Sequence, residues 1–163
     1  MNLALIFAGG TGTRMNSKTK PKQFLELNGK PIIIHTIELF ESHPEIDAIA
    51  VVCLESWIGY LNELLERFRI KKVKYVVPGG ETGQQSIRNG LTAFWDDQDI
   101  PRDSLVLIHD GVRPLINEDI ITRSIECAKQ YGNAITVTPA IETIITVSED
   151  DSVDQIMDRS KCR

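Results

Sequence analysis

The residues best suited to chemistry are a glycine-rich stretch, Gly9-Gly10-Thr11-Gly12-Thr13-Arg14, and Lys22, which follows it in the sequence. Glycines let a backbone approach a ligand closely and direct its N–H groups at an anion. Arg14 could donate a fork of hydrogen bonds to phosphate oxygens, and Lys22 could supply a compact positive charge. The pair therefore suits a triphosphate whose reacting phosphorus gains charge in the transition state. A solvated basic loop is the alternative, because other lysines cluster here: Lys18, Lys20 and Lys30.

The spacing of these residues argues against two common phosphate-binding motifs. A dinucleotide G-x-G-x-x-G motif starting at Gly10 would have Met15 in place of its third glycine. The P-loop ends in Gly-Lys-Ser/Thr, and the stretch after Gly12 does not contain it. A dehydrogenase also needs an acidic residue at the end of its second strand, for which Glu55 is a weak candidate. A Rossmann dehydrogenase is therefore the least favoured enzyme class.

A carboxylate follows a second apolar run. Asp110 comes just after Leu105–Ile108, so in a parallel sheet it would emerge at the carboxyl edge, where ligands bind. Magnesium commonly uses one or two carboxylates together with substrate phosphates. The alternative for Asp110 is a helix or turn cap. The neighbouring His109 is expected to be structural, and His35 and His43 lack the spacing of metal ligands.

Composition limits the partners of the chain. With 163 residues, 42% of them hydrophobic, we expect a single folded domain over residues 1–163. The net charge of −5 argues against a nucleic-acid-binding surface. Three cysteines fit neither a disulfide framework nor a zinc site and indicate a reducing cytoplasm. The apolar run from Met1 to Ala8 is too short to span a membrane, so we expect no membrane partner.

The elements that must hold these residues alternate between strands and helices. Apolar runs predict five strands: Leu3–Ala8, Ala48–Leu54, Val73–Val77, Leu105–Ile108 and Ala134–Thr138. Helices are predicted between them, one after Pro31, one capped by Ser56, one containing Ile87 to Trp95, and one from the cap Asn117 to Gly132. Near the C-terminus, Thr143–Val147 and Val153–Met157 predict a projecting hairpin arm, residues 139–159. The pattern predicts a Rossmann-like three-layer αβα fold with a mostly parallel sheet.

Taken together, these motifs resemble the 2-C-methyl-D-erythritol 4-phosphate and ribitol-5-phosphate cytidylyltransferases. The matching stretches occur in the family's order: Gly9–Met15, Pro21–Leu25, Pro31 with His35-Thr36, Gly79–Glu81 leading to Ser86, and His109–Pro114. The resemblance implies a nucleotidyltransferase that transfers CMP from CTP to a polyol phosphate, with magnesium as cofactor. It also implies a homodimer formed through the arm.

The resemblance further assigns roles to individual residues. Arg14 and Lys22 would be catalytic and would neutralise the α-phosphorus and the leaving pyrophosphate. Asp110 would bind magnesium. Arg113, counted with the substrate-binding residues, is interpreted as a brace for its loop, whereas Thr143 and Arg159 match positions that bind the polyol phosphate. Nucleotide-binding positions would be Phe7, Ala8, Gly9, Gly10, Gly12, Gly80, Glu81, Ser86 and Gly111.

The sequence also departs from the family pattern. Family members are longer, so we expect this chain to be C-terminally truncated. Gly83 replaces an arginine common in the erythritol branch, and Thr11 and Phe24 resemble the ribitol branch, which favours ribitol 5-phosphate slightly. The alternatives are a methylerythritol-phosphate enzyme of isoprenoid precursor synthesis, a nucleotidyltransferase for another base or a sugar 1-phosphate, and a non-catalytic nucleotide-binding fragment.

Overall fold

The computed structural model describes residues 1–10 and 20–163. Its strands are β1 (Asn2–Ala8), β2 (Glu26–Leu27), β3 (Lys30–Pro31), β4 (Ala48–Cys53), β5 (Val73–Pro78), β6 (Leu105–Asp110), β7 (Ile145–Val147) and β8 (Val153–Ile156). Its helices are α1 (Ile32–Ser42), α2 (Ile58–Arg67), α3 (Gly83–Asp96) and α4 (Glu118–Tyr131). Short 3₁₀ turns cover Lys22–Phe24, Glu55–Trp57 and Arg159–Lys161. No helix in these described ranges is long and apolar enough to cross a membrane.

Four parallel strands form the central sheet in the order β5-β4-β1-β6. All six residues of β4 are buried, as expected of a strand that has a neighbour on each side and is covered on both faces. The registers Phe7↔Asp110 and Ala8↔Cys53 bring three strand ends to one edge. The predicted parallel sheet is confirmed.

Helices cover both faces of this sheet, because successive side chains of a strand point to opposite sides. Ala4, Ile6 and Ala8 of β1 belong to the larger hydrophobic cluster, with buried residues of α1, α2 and α4. The opposite face carries Leu3 and Leu5, packed with Phe94 of α3. The predicted three-layer fold is therefore confirmed.

Two of the predicted helix ends are confirmed and one is wrong. Asn117 caps α4 by accepting a hydrogen bond from the Ile120 N–H at 3.0 Å, and Gly132 ends it with a φ of 85°. Ser56, however, does not cap α2. The Trp57 N–H donates to the Leu54 carbonyl and closes a 3₁₀ turn, so the helix begins after Trp57.

The C-terminal segment, residues 133–163, follows α4. The arm is present as predicted, with β7 and β8 pairing antiparallel. The predicted strand Ala134–Thr138 is wrong, since these residues form no strand. Ile135 is 83% exposed and Val137 is 59% exposed. Residues that favour strands form one only where a neighbouring strand offers pairing and cover.

Candidate functional site

Two glycine turns meet at the carboxyl edge of the sheet. Gly9-Gly10 follows β1, and Gly79-Gly80 follows β5. A Cβ atom on Gly79 would lie 3.2 Å from the Gly9 Cα, and one on Gly9 would lie 3.0 Å from the Ser86 Oγ. Side chains would separate these two backbones. The glycines therefore form a narrow, backbone-lined surface of the kind that suits an anion.

Ser86, on the first turn of α3, holds this surface together. It is 3% exposed, and its Oγ accepts a hydrogen bond from the Gly80 N–H and donates one to the Thr82 carbonyl, both at 3.0 Å. Thr82 caps α3 through the Gln85 N–H. Sequence reasoning assigned Ser86 to the nucleotide and missed this structural link. Its contact with a nucleotide stays a prediction, and Glu81 lies exposed in the same turn.

Lys22 is carried by a 3₁₀ turn packed beside β1. Phe24 in this turn is fully buried, with its ring stacked 4.9 Å from Trp57 and edge-on to Tyr60 at 5.4 Å. The Gln23 side chain donates from Nε2 to the Ala8 carbonyl at 2.6 Å. The turn is thus tied to both α2 and the end of β1, which places the turn that carries Lys22 beside the glycine edge.

Asp110 is the last residue of β6 and lies at the same edge. Its Oδ1 accepts the Val112 N–H at 3.1 Å, and its Oδ2 accepts the Arg113 Nε–H at 3.3 Å. His109 donates from Nε2 to the Arg113 carbonyl at 2.9 Å. The interpretation of Arg113 as a brace and His109 as structural is consistent with these contacts. The Asp110 side chain remains 31% exposed, so it is accessible to a ligand.

Gly111 packs the Asp110 turn against β1. Its N–H donates to the Phe7 carbonyl at 3.0 Å, and its carbonyl accepts from the Thr36 Oγ1 at 3.0 Å. A Cβ atom on Gly111 would lie only 2.9 Å from the Ala8 Cβ. Thr36 is a fully buried residue of α1 that the sequence analysis did not assign a role. Its partner is distant in sequence, so no local pattern could have identified it.

The donor set at Asp110 fits magnesium better than zinc. In the described ranges, no cluster of three or more His, Cys, Asp or Glu side chains could hold a metal ion. One partly exposed carboxylate with free lone pairs is what magnesium uses when substrate phosphates and water complete its coordination. The geometry is therefore compatible with a metal that arrives together with a phosphorylated ligand.

Cys53 ends β4 at this edge, and its side chain is fully buried. Burial raises the pKa of its thiol to about 11, and a backbone hydrogen bond at Leu54 lowers it only in part. The thiol is therefore protonated near neutral pH, whereas catalysis by cysteine requires the thiolate.

The structure does not test every predicted site residue at this edge. Gly12 and Arg14 lie outside the described residues. Thr143 precedes β7, and Arg159 follows β8, where its Nη1 donates to the Ile141 carbonyl at 3.2 Å. In the described part of the chain, no hydrogen bond joins Thr143 or Arg159 to Lys22 or Asp110.

A family model described as 2-C-methyl-D-erythritol 4-phosphate cytidylyltransferase (IspD) matches residues 2–163, nearly the whole chain. The chain belongs to this cytidylyltransferase family. The family belongs to the nucleotidyltransferases, which agrees with the glycine turns, lysine and carboxylate that meet at the edge of the sheet.

Relatives of both branches are similar to the chain. A ribitol-5-phosphate cytidylyltransferase of Vibrio parahaemolyticus is 58% identical over 163 residues, which are all of this chain and 68% of that protein. One from Streptococcus agalactiae is 52% identical over 99% of this chain and 66% of its own length. A 2-C-methyl-D-erythritol 4-phosphate cytidylyltransferase of Clostridium acetobutylicum is 41% identical over 99% of this chain and 68% of its own length. The chain thus spans about two thirds of the relatives it matches.

Solved structures agree on the fold. The crystal structure of 4-diphosphocytidyl-2C-methyl-D-erythritol synthase from Anaerococcus prevotii superposes with a TM-score of 0.77 at 26% identity. The alignment covers 98% of this chain and 64% of that one. This likeness supports the Rossmann-like nucleotidyltransferase architecture described above.

Proposed function

We propose that the protein transfers CMP from CTP to a polyol phosphate and releases pyrophosphate, with ribitol 5-phosphate as the acceptor. The observation that carries the proposal is the meeting of the Lys22 turn, Asp110 and two glycine turns at one sheet edge in a chain of this family. Ribitol 5-phosphate is favoured because relatives named for it are 58% and 52% identical, against 41% for a relative named for methylerythritol phosphate.

The reaction requires positioning and charge neutralisation more than a protein nucleophile. An oxygen of the ribitol phosphate attacks the α-phosphorus of CTP, and the bond from that phosphorus to the β-phosphate oxygen breaks. The electron pair leaves with pyrophosphate, and CDP-ribitol forms. The attacking phosphate is already ionised at neutral pH, so proton removal is not needed. Lys22, together with Arg14, would stabilise the added charge, and N–H groups of the Gly9-Gly10 and Gly79-Gly80 turns would hold the phosphates.

Asp110 is proposed to hold a magnesium ion. The ion, when bound, would neutralise phosphate charge as substrates enter. Arg113 keeps the carboxylate in place through its Nε–H, and Thr36 and Phe7 fix the backbone of Gly111 behind it. These contacts restrict the turn before any ligand arrives, so little ordering would be required on binding.

The turn after β5 is proposed to contact cytosine and ribose. Gly79 lies against Gly9, and the Gly80 N–H donates to Ser86, which also approaches Gly9. The nucleoside of a CTP bound at the glycine turns would extend from there to Gly80 and Glu81. Thermal shift with CTP, UTP and GTP in the presence of magnesium tests this assignment. A larger shift with CTP is expected, whereas an equal shift with UTP would favour a nucleotidyltransferase of broader base preference.

The arm is proposed to pair two copies of the chain. It exposes apolar side chains that a soluble monomer would normally cover: Ile141, Ile144, Ile145, Val147, Val153, Ile156 and Met157. An isolated two-stranded hairpin is marginally stable in water, so a partner surface would stabilise it. A dimer would also bring Thr143 and Arg159 to the site of the other copy, where they would bind the polyol phosphate. Sedimentation velocity should show a dimer that Ile156→Ser weakens.

The setting proposed for this enzyme is the cytoplasm, without a nucleic-acid or membrane partner. All three cysteines are free: Cys53, Cys127 and Cys162. Unpaired thiols are typical of a reducing compartment. The net charge of −5 also disfavours a surface that binds nucleic acid.

The decisive test is pyrophosphate release from CTP with each acceptor. With magnesium present, we expect faster release with ribitol 5-phosphate than with 2-C-methyl-D-erythritol 4-phosphate. The opposite preference would assign the chain to the isoprenoid branch. CTP binding without release on either acceptor would contradict the transferase activity and favour a nucleotide-binding role.

A further inference from the structure

A buried carboxamide lies next to the proposed catalytic lysine. Gln23 is only 2% exposed, and its side chain spans from the Lys22 turn to the last residue of β1, Ala8. The Nε2 to carbonyl distance of 2.6 Å shows a close hydrogen bond. Burying an amide is costly unless it is bonded, so an apolar side chain would fill this space at lower cost. The position of the amide therefore suggests a task beyond filling space.

The partner of Gln23 is one of two adjacent carbonyls that organise the site. Phe7 presents its carbonyl to the Gly111 N–H at 3.0 Å, and Ala8 presents its carbonyl to Gln23. The first bond holds the turn that carries Asp110, and the second holds the turn that carries Lys22. The end of β1 thus fixes both charged residues relative to the Gly9-Gly10 backbone.

The aromatic contacts of the Lys22 turn hold it less specifically. Phe24 anchors the turn in a cluster with Trp57 and Tyr60 at centroid distances of 4.9 and 5.4 Å. Stacked rings are held by contact area, which tolerates sliding, whereas a hydrogen bond is directional and sets a distance. A backbone hydrogen bond from the Ile32 N–H to the Leu25 carbonyl at 2.9 Å ties the end of the turn to α1. Gln23 supplies the directional contact between the turn and β1.

We propose that Gln23 is a positioning residue for Lys22, which it holds in register with the Gly9-Gly10 turn. The ammonium group and the backbone N–H groups can then meet the same phosphates of the nucleotide. This inference rests on the proposed function, because it assumes that Lys22 acts on CTP.

A purely structural role for Gln23 predicts a different outcome in a double-mutant cycle. If Gln23 only stabilises the fold, its loss weakens CTP binding to a similar extent whether or not Lys22 is present. If Gln23 acts through Lys22, its loss has no further effect once Lys22 has been removed. The cycle therefore separates the two roles.

The experiment measures binding of magnesium-CTP by calorimetry for the wild type, Gln23→Met, Lys22→Ala and the double variant. Methionine has a similar length and no donor. We expect Lys22→Ala to weaken binding about tenfold or more, as for a lost charge-assisted hydrogen bond. Gln23→Met should weaken it by about three- to tenfold, and the double variant should match Lys22→Ala alone. Gln130→Met, at an exposed position of α4, is the matched control and should bind like the wild type.

The outcomes separate the positioning role from the function itself. Equal affinity of Gln23→Met and the wild type, or additive losses in the double variant, would overturn the role of Gln23 and leave the proposed function intact. A wild type that does not bind CTP would overturn the proposed function. Circular dichroism of each variant checks that it is folded.

A second variant gives a readout that depends on the proton at this hydrogen bond. In Gln23→Glu the carboxylate would face the Ala8 carbonyl without a donor, and burial would raise its pKa. Once protonated, its O–H can donate to that carbonyl again. The affinity of this variant relative to the wild type should therefore recover as the pH falls from about 8.5 to about 6. The proposal would be overturned if the affinity of Gln23→Glu relative to the wild type did not change with pH. Failure of both Gln23→Met and Gln23→Glu to fold would also overturn it.

Discussion

Residues 1–132 and residues 133–163 differ in how their apolar side chains are covered. All of the fully buried apolar side chains lie in the first region, from Leu3 to Ile125. The second region contains no buried residue, and only Ala134, Ala140 and Cys162 are half-buried. Both regions contain β-branched apolar residues, so composition does not explain the difference. What differs is the presence of neighbouring elements within the chain.

This contrast also separates two groups of predicted site residues. The turns that carry Lys22 and Asp110 are held by hydrogen bonds to the end of β1, and Gly79 is held by one to the end of β4. Thr143 and Arg159 lie on the arm, where nothing in the described chain packs over them. The packed edge is therefore held in place by contacts within this chain. The arm is a paired hairpin whose residues lie exposed.

The largest expected effects concern the catalytic contributions of the two regions. Lys22→Ala should lower kcat for pyrophosphate release by about 10²–10³-fold, comparable with the loss of one oxyanion-hole donor. Arg159→Ala on the arm should instead raise the KM for ribitol 5-phosphate by about ten- to a hundredfold, since it would bind the acceptor rather than the transition state. Steady-state kinetics with each substrate varied in turn distinguish the two patterns.

Mixing these two variants tests whether the arm acts on the other copy. A mixed dimer of Lys22→Ala and Arg159→Ala chains would contain one site with both residues intact. Recovery of a substantial fraction of wild-type activity is expected on mixing. Activity that stays at the average of the two variants would show that Arg159 serves its own chain.

A smaller difference between the two regions is expected when one isoleucine in each is replaced by alanine and the free energy of unfolding is compared. Ile37 in α1 is fully buried, and Ile135 is 83% exposed. Ile37→Ala should lower the free energy of unfolding by about 2–5 kcal/mol, because it removes buried methyl groups and leaves a cavity. Ile135→Ala should change it by less than about 0.5 kcal/mol. Urea unfolding measures both, and similar losses would show that the C-terminal segment is packed in solution.

The same contrast explains which expectations from sequence were correct. Strands β1, β4, β5 and β6 were predicted to within about two residues, because each is rich in apolar and β-branched residues and lies between polar turns. Ala134–Thr138 is also rich in β-branched residues, but no strand pairs with it, so the strand prediction was wrong. Strand formation depends on a neighbour, and a sequence pattern does not specify one.

The site was predictable where the signal is local and not where it depends on distant contacts. Asp110 at the end of an apolar run and Gly9-Gly10 after another were identified from spacing. The hydrogen bonds from Thr36 to Gly111 and from Gln23 to Ala8 join residues far apart in the chain. Ser56 failed as a cap because a 3₁₀ turn competed for the start of α2.

The smallest effect on the free energy of unfolding is expected when either of two hydrogen bonds to carboxylates is removed, one in each region. Tyr75 of β5 donates to Asp97 after α3, and Thr146 on the arm donates to Asp154 at 3.2 Å. The hydrogen bond to Asp97 raises the pKa of Tyr75 to about 12, and burial adds to the rise. The bond from Tyr75 is also the largest cause that lowers the pKa of Asp97.

Each shift gives a pH window for this stabilisation. Between about pH 10, the ordinary pKa of tyrosine, and pH 12 the folded state keeps a proton that the unfolded state loses, so stability falls as the pH rises. The lowered pKa of Asp97 means that stability is also lost as the pH falls below about 4. Tyr75→Phe should therefore lower the free energy of unfolding most between about pH 4 and about pH 10. The loss should be smaller than the loss caused by Ile37→Ala. Thr146→Val should leave urea unfolding unchanged at every pH, because water can replace its exposed hydrogen bond to Asp154. A loss of unfolding free energy equal to that of Tyr75→Phe would show that the arm is covered in solution.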